Sequence, residues 1–202
     1  MKTLVIAFSG FKGVGKTTFA KNLKEAIDNV QYEGLQFNPV MVGLADAVKE
    51  EVAEVFGISL EELEELKRDE TKKVFGDLTM RQYLIDYAEY KKQKGGKDIW
   101  AKKAWSRFLK KASDDKVNIL IIPDLRFPEE QDFLKKKVGL LNFLNIFLAL
   151  EGYDVNKDFG ESFYRELDQD FLIKVKKREE FNNYILPIIN SLIVSSLTLF
   201  GD

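Results

Sequence analysis

The chain contains no cysteine and no histidine. The first absence excludes disulfides and thiolate metal sites. The second removes the commonest general base and the commonest transition-metal ligand. Chemistry must therefore run on Lys, Arg, Asp, Glu and hydroxyl groups. An excess of charge of one sign is lacking too: 31 Lys and Arg against 33 Asp and Glu leave a net charge of −2. Such a sum gives no global field for duplex nucleic acid or an anionic membrane, so an anion site must be local and neither partner is expected. Long apolar runs are also scarce. The longest beyond the start, Leu140 to Leu150, is broken by Asn142 and Asn145 and falls short of the about 20 residues that a bilayer span needs. The apolar start, Leu4 to Phe8, leads into a glycine-rich loop rather than a cleavage site. A soluble, cytoplasmic protein is the expectation. With 202 residues and 45% hydrophobic content, the chain 1–202 reads as a single domain able to bury its own core.

Gly10-Phe11-Lys12-Gly13-Val14-Gly15-Lys16-Thr17 fits G-x-x-x-x-G-K-[ST] in full. The glycines let the backbone curl so that its N–H groups meet phosphate oxygens, and the following helix adds its positive N-terminus. Lys16 reaches the outer phosphates and Thr17 ligates magnesium. ATP and Mg2+ are the expected cofactors, with Gly10, Lys12, Gly13, Val14, Gly15, Lys16, Thr17 and Thr18 as the ATP contacts. The mechanism requires a buried strand before the loop and a helix after it. Leu4 to Ser9 is a continuous β-branched and aromatic run, and Lys16 to Asp28 places Phe19, Leu23, Ala26 and Ile27 on one helical face.

Val40 to Leu44 predicts a second strand, and Asp46 can cap the helix defined by Val48, Val52, Val55 and Phe56. From Ser59 to Ala112 the pattern is helical, with Ser59…Glu62 and Thr79…Gln82 as capping boxes, Asp98 as a further N-cap, and Gly76 and Gly95-Gly96 as punctuation. Val117 to Ile122, Asn145 to Leu150 and Phe171 to Val175 complete five strands, and Pro128 suits the first turn of another helix. Strands alternating with helices predict an α/β, three-layer P-loop NTPase fold with a mainly parallel five-stranded sheet. The helical insertion spans about 59–112, and the polar segment of about 151–170 is a candidate lid. An apolar face within Leu186 to Phe200 leaves a homodimer open.

Asp124 follows an apolar strand and Pro123, at the carboxyl end of the sheet where open α/β folds bind ligands. It could hold magnesium through water, and Arg126, two residues on, would point the same way if the chain stays extended. A plain Asp–Arg ion pair beside a helix start is the competing reading. Lys91 to Lys97 reads as a solvated, basic helix end. Trp100, at helical spacing from Ala104, reads as core. Arg165 reads as a solvated charge.

Taken together, these stretches resemble the deoxynucleoside monophosphate kinases of phages and their relatives over most of the chain. The shared features are the loop at 10–17, Leu44-Ala45-Asp46, Arg81 followed by a helix to Lys97-Asp98-Ile99-Trp100, and Asp124-Leu125-Arg126-Phe127-Pro128-Glu129-Glu130. The resemblance implies phosphoryl transfer from ATP-magnesium to a deoxynucleoside monophosphate, a small-molecule nucleotide substrate. It implies Lys16, Arg126 and Asp124 as the catalytic set, and Asp46, Arg81, Trp100, Asp124, Arg126 and Glu130 on the acceptor side. Arg165 would belong to the lid. The family commonly carries a histidine beside its late Glu-Ser pair, and Phe159-Gly160-Glu161-Ser162 has none. Animal-type phosphomevalonate kinases look like distant relatives, which keeps another small-molecule kinase as the alternative. A nucleotide-binding switch is a different class, disfavoured because no Asn-Lys-x-Asp sequence occurs. A motor on nucleic acid would need a basic track that is absent.

Overall fold

The computed structural model describes residues 1–32, 34–152 and 166–200. Five parallel strands form one sheet in the order β2-β5-β1-β6-β7. They are β1 (Thr3–Ser9), β2 (Phe37–Met41), β5 (Val117–Ile122), β6 (Phe143–Leu150) and β7 (Phe171–Val175). Their near-continuous apolar runs suit strands covered on both faces. In β1 the residues Leu4, Ile6 and Phe8 face one core cluster and Val5 and Ala7 the other. The first cluster is filled by Phe19, Ala20, Leu23 and Ile27 of α1 (Lys16–Asp28) and by Ile188, Ile189 and Leu192 of α7 (Ile185–Phe200). The second takes Ala101, Ala104 and Phe108 of α5 (Ile99–Leu109) and Leu134 of α6 (Pro128–Val138). This is the expected three-layer α/β fold.

A third cluster joins α2 (Asp46–Phe56), α3 (Leu60–Arg68) and α4 (Met80–Gly95) through Val48, Val52, Leu63, Met80, Leu84 and Trp100. Ser59 and Glu62 form the expected capping box on α3. At α4 the box is half made: Thr79 Oγ1 accepts from the Gln82 N–H, while the Gln82 side chain donates to Asp86 instead. Asp98 occupies the N-cap position of α5 without a capping bond, and its carboxylate pairs with Lys102 at 2.8 Å.

Four sequence expectations need correction. The stretch between α3 and α4 is not helical: Lys73–Phe75 (β3) and Leu78–Thr79 (β4) pair antiparallel around Gly76-Asp77. Gly76 sits at φ 54°, a left-handed value that glycine reaches without strain. The second strand lies three residues earlier than Val40–Leu44. It carries Pro39, which is tolerated because β2 is an edge strand with half its N–H groups outside the ladder. Asp46 does not cap α2, since Ala45 holds that position and the Asp46 carboxylate accepts the Gly43 N–H at 2.7 Å. Finally, Leu140–Leu150 is not the longest apolar segment. Arg178–Phe200 is long and apolar enough to cross a membrane by length and composition. In the structure Ile188, Ile189 and Leu192 of that segment pack into the sheet's core.

Phe108 is fully buried beneath the sheet, whereas Leu141 is 83% exposed. Phe108→Ala should lower the unfolding free energy by about 3–5 kcal/mol. Leu141→Ala should change it by no more than about 0.5 kcal/mol. Urea denaturation of both variants checks the contrast.

Candidate functional site

The chain leaves β1 into α1 on one face of the sheet and leaves the neighbouring β5 into α6 on the other. The two connections diverge, and the crevice between them at the carboxyl ends is the ligand position of open α/β sheets. Residues 10–17 form one wall. The turn Pro123–Phe127 forms the other, tied back to β1 where the Leu125 N–H donates to the Phe8 carbonyl at 3.1 Å.

The loop is anchored by apolar contacts as well as by its glycines. Val14 is fully buried in the α1-side core, and Phe11 meets Phe147 edge-on at 5.6 Å. Gly10 has φ 129°, and a Cβ there would lie 2.3 Å from the Leu148 carbonyl oxygen. A side chain at this position would push the end of β1 away from β6. Gly15, at φ 103°, ends the loop and precedes α1, whose first turn holds no acidic residue. The positive end of that helix is therefore not neutralised from within. The Lys16 ammonium donates to the carbonyls of Gly10 at 2.6 Å and Phe11 at 2.8 Å. Thr17 and Thr18 are exposed at the helix start. Arg178, which the sequence reading missed, lies with its Cδ 3.7 Å from where a Gly15 Cβ would stand. Nothing in its local sequence signals this, because the approach depends on β7 reaching the sheet edge.

Asp124 is a structural clamp. Its carboxylate accepts the Leu44 N–H at 2.8 Å and the Ala45 N–H at 3.0 Å, tying β5 to the start of α2. Desolvation raises its carboxyl above the usual range. The two amides oppose the rise, Asp46 adds to it and Arg126 opposes it. Asp46, Asp124 and Arg126 are thus electrostatic neighbours at one crevice wall. The Arg126 side chain is exposed, and no described residue pairs with its guanidinium.

Two residues assigned to the acceptor side by resemblance are buried instead. Trp100 is 2% exposed, packs in the third cluster and donates from its indole to the Ala88 carbonyl at 3.3 Å. That matches the core reading of its spacing. Glu130 is 3% exposed and accepts the N–H groups of Arg126 at 3.3 Å and Phe127 at 3.2 Å, closing the first turn of α6. It positions Arg126 through the backbone. Burial pushes its carboxyl up to about 7, against the attraction of Lys92 and with a contribution from Asp124. Lys92 is itself a correction, because its side chain is 9% exposed rather than solvated. Its ammonium lies 3.3 Å from the Phe127 ring centroid, and burial holds its pKa below the usual lysine value. Lys94 and Lys97 are the exposed lysines of the run, and Lys97 pairs with Glu129 at 2.9 Å.

Arg81, at the start of α4, is close to the phosphate loop. Its Nε lies 3.3 Å from Glu70 Oε1, and the Lys12 ammonium lies 3.6 Å from the same oxygen. Arg165 lies outside the described residues, as does most of the candidate lid. The described return of that segment is pinned by Gln131, whose amide donates to the Asp168 carbonyl at 2.7 Å, and by Asn145, which donates to the same carbonyl at 2.8 Å. Among the described residues no group of three or more acidic side chains could hold a metal by itself. A magnesium ion on ATP needs only one or two protein ligands beside phosphate oxygens and water. The exposed Thr17 hydroxyl suits that need, and the Asp124 oxygens, each accepting one backbone amide, retain lone pairs for a metal-bound water.

No protein-family model matches the chain, and neither does any curated protein. Solved structures match over nearly the whole chain at low similarity. A shikimate kinase from Bacteroides thetaiotaomicron is 13% identical at a TM-score of 0.40, covering 95% of this chain and 98% of that one. An APS kinase from Mycobacterium tuberculosis is 12% identical at 0.43, with 95% and 98% covered. A gluconokinase from Sinorhizobium meliloti is 13% identical at 0.41, with 95% and 97% covered. Likeness at this level says nothing about a substrate. The P-loop fold rests on this chain's own sheet order and on the loop at 10–17.

Glu130 gives the site a pH signature. Unfolded, its carboxyl ionises near 4.5, and folded near 7. Between these values the folded state binds more protons, so stability falls as pH rises, and the cost reaches about 3 kcal/mol above pH 7. Glu130→Gln should flatten this part of the slope in urea denaturation between pH 5 and 7.5, leaving the same-signed contribution of Asp124. An unchanged slope would mean that Glu130 is ionised inside the fold.

Proposed function

We propose that the chain transfers the terminal phosphoryl group of ATP to a (deoxy)nucleoside monophosphate, giving ADP and the diphosphate. One observation carries this reading: the phosphate loop faces a second set of cations supplied by other elements. Arg126 follows β5 across the crevice, and Arg81 reaches from α4 to the same Glu70 oxygen that Lys12 approaches. Cations on one side suffice to hold the phosphates of a single nucleotide, although hydrolysing switches add one opposing arginine. A site for two phosphate-bearing substrates needs them on both.

The roles follow from charge and position. The loop amides, the start of α1 and Lys16 hold the donor phosphates. Lys16 and Arg126 neutralise charge that builds on the transferring group. Thr17 would hold magnesium, which supplies further neutralisation of the donor phosphates when bound. No side-chain base is required, since a phosphate monoester has its second pKa near about 6 and its oxygen is already largely anionic at neutral pH. The chain's remaining task is to position that oxygen in line. The absence of histidine is compatible with this chemistry. Asp124 and Glu130 act through the backbone, by fixing where α2 begins and where Arg126 stands.

Lys16→Ala should lower kcat by at least about 100-fold while the variant still unfolds cooperatively in urea. Arg126→Ala should lower kcat and raise the KM for the acceptor together, because it meets charge in both the ground state and the transition state. The deciding assay is ADP release from ATP-magnesium against a panel of deoxynucleoside and nucleoside monophosphates, with phosphomevalonate as a control. Turnover of phosphomevalonate alone would replace the acceptor class. Tight ATP binding with silence toward every acceptor would replace the kinase reading with that of a nucleotide-binding module.

A further inference from the structure

Glu70 lies on an exposed turn between α3 and β3, yet its carboxylate is directed at the phosphate site. The turn is organised by Asp69, whose Oδ1 accepts the Thr71 N–H at 3.0 Å, the Thr71 hydroxyl at 2.6 Å and the Lys72 N–H at 3.2 Å. The adjacent Glu70 Oε1 lies 3.6 Å from the Lys12 ammonium and 3.3 Å from Arg81 Nε. A single oxygen therefore meets one cation from the loop and one from the insertion. Arg81 is the second residue of α4, whose first turn contains no acidic side chain. The positive end of that helix adds to the same potential.

The Arg81 contact is close without being well directed. Its Nε is buried and makes no well-formed hydrogen bond, although Glu70 is in ion-pair range. A buried donor left in this condition is a costly arrangement that a better-placed anion would relieve. Glu70 is itself 63% exposed, and exposed ion pairs are weak. The contact is thus easily exchanged for another anion.

We propose that Glu70 is an internal anion standing where a substrate phosphate binds, and that the phosphate displaces it. This deepens the two-phosphate reading of the crevice and rests on it. The physical basis is a difference in charge. A carboxylate carries one negative charge and two acceptor oxygens. A phosphate monoester at neutral pH carries close to two charges and three oxygens. Between Lys12, Arg81 and the start of α4, the phosphate wins the exchange. A singly charged ligand gains no such advantage over Glu70, so the residue makes the seat selective for dianionic phosphate groups.

The test is equilibrium binding of inorganic tripolyphosphate by calorimetry at low salt. Glu70→Gln removes the competitor's charge and should tighten binding by about 3- to 10-fold. In the double variant with Arg81→Ala the gain should vanish, because the seat is then incomplete. Glu61→Gln, an exposed acid on α3, controls for net charge and should leave binding unchanged. Unchanged or weaker binding in Glu70→Gln overturns the proposal, as does an equal gain in Glu61→Gln. The readout needs no turnover, so it separates from the substrate reading. Deoxynucleotide turnover with tripolyphosphate binding unaffected by Glu70→Gln removes the competitor role alone. A tightened Glu70→Gln with no turnover of any monophosphate supports the competitor role and removes the acceptor class alone.

Discussion

Two backbone amides and one carboxylate fix the relation between the sheet and everything built on it. Asp124 stands at the end of β5, next to the central strand, and holds the N–H groups of Leu44 and Ala45. It thereby sets where α2 leaves the sheet, and α2 carries the third core cluster with α3, α4 and Trp100. Desolvation raises the Asp124 carboxyl, and the two amides are what oppose that rise most. The same stretch of chain then presents Arg126 and enters α6 through Pro128, with Glu130 bonded back to the Arg126 and Phe127 amides. Losing the clamp would therefore disturb the insertion and the crevice wall together.

α4 then acts as a strut between the two walls. Its 16 residues span about 24 Å at 1.5 Å per residue. At its start Arg81 shares Glu70 with Lys12 of the phosphate loop. Near its end Lys92 sits on the Phe127 ring and feels Glu130 at the opening of α6. One rigid helix touches the structure around both the donor loop and the turn that presents Arg126.

The sheet and the loop were legible because their physics is local. Strands covered on both faces must be apolar throughout, and the loop needs glycine where a Cβ would strike β6, as at Gly10 against Leu148. The offset of β2 was less legible, since a proline weakens the strand signal and only the edge position excuses it. The β3–β4 hairpin has five strand residues around a glycine-containing turn, too few for periodicity to resist the helical pattern on either side. Lys92 could not be separated from its lysine neighbours, because what buries it is the Phe127 ring 35 positions away in sequence. Glu70 gave no signal for the same reason: its meaning lies in the two cations that the fold brings to it. Trp100 and Glu130 differ again: the resemblance sets them on the acceptor side, and both are buried, Trp100 in the third cluster and Glu130 at the start of α6.

A chain with a net charge of only −2 can still make a strong anion site if its cations converge while its acids are spent elsewhere. That division is visible here. Lysines on α2, α3, α4 and α5 meet local partners: Lys49 and Lys67 pair with Glu64, and Lys91 and Lys103 with Glu51. At the crevice the balance differs. Asp124 and Glu130 are tied to amides, Arg126 meets no described partner, and the Glu70 carboxylate near Lys12 and Arg81 stands on an exposed turn. The low overall charge avoids a broad field that would gather polyanions indiscriminately. The local excess is confined to a crevice between two diverging connections. In that confined space a small phosphate ligand of the proposed kind would meet cations from more than one element at once.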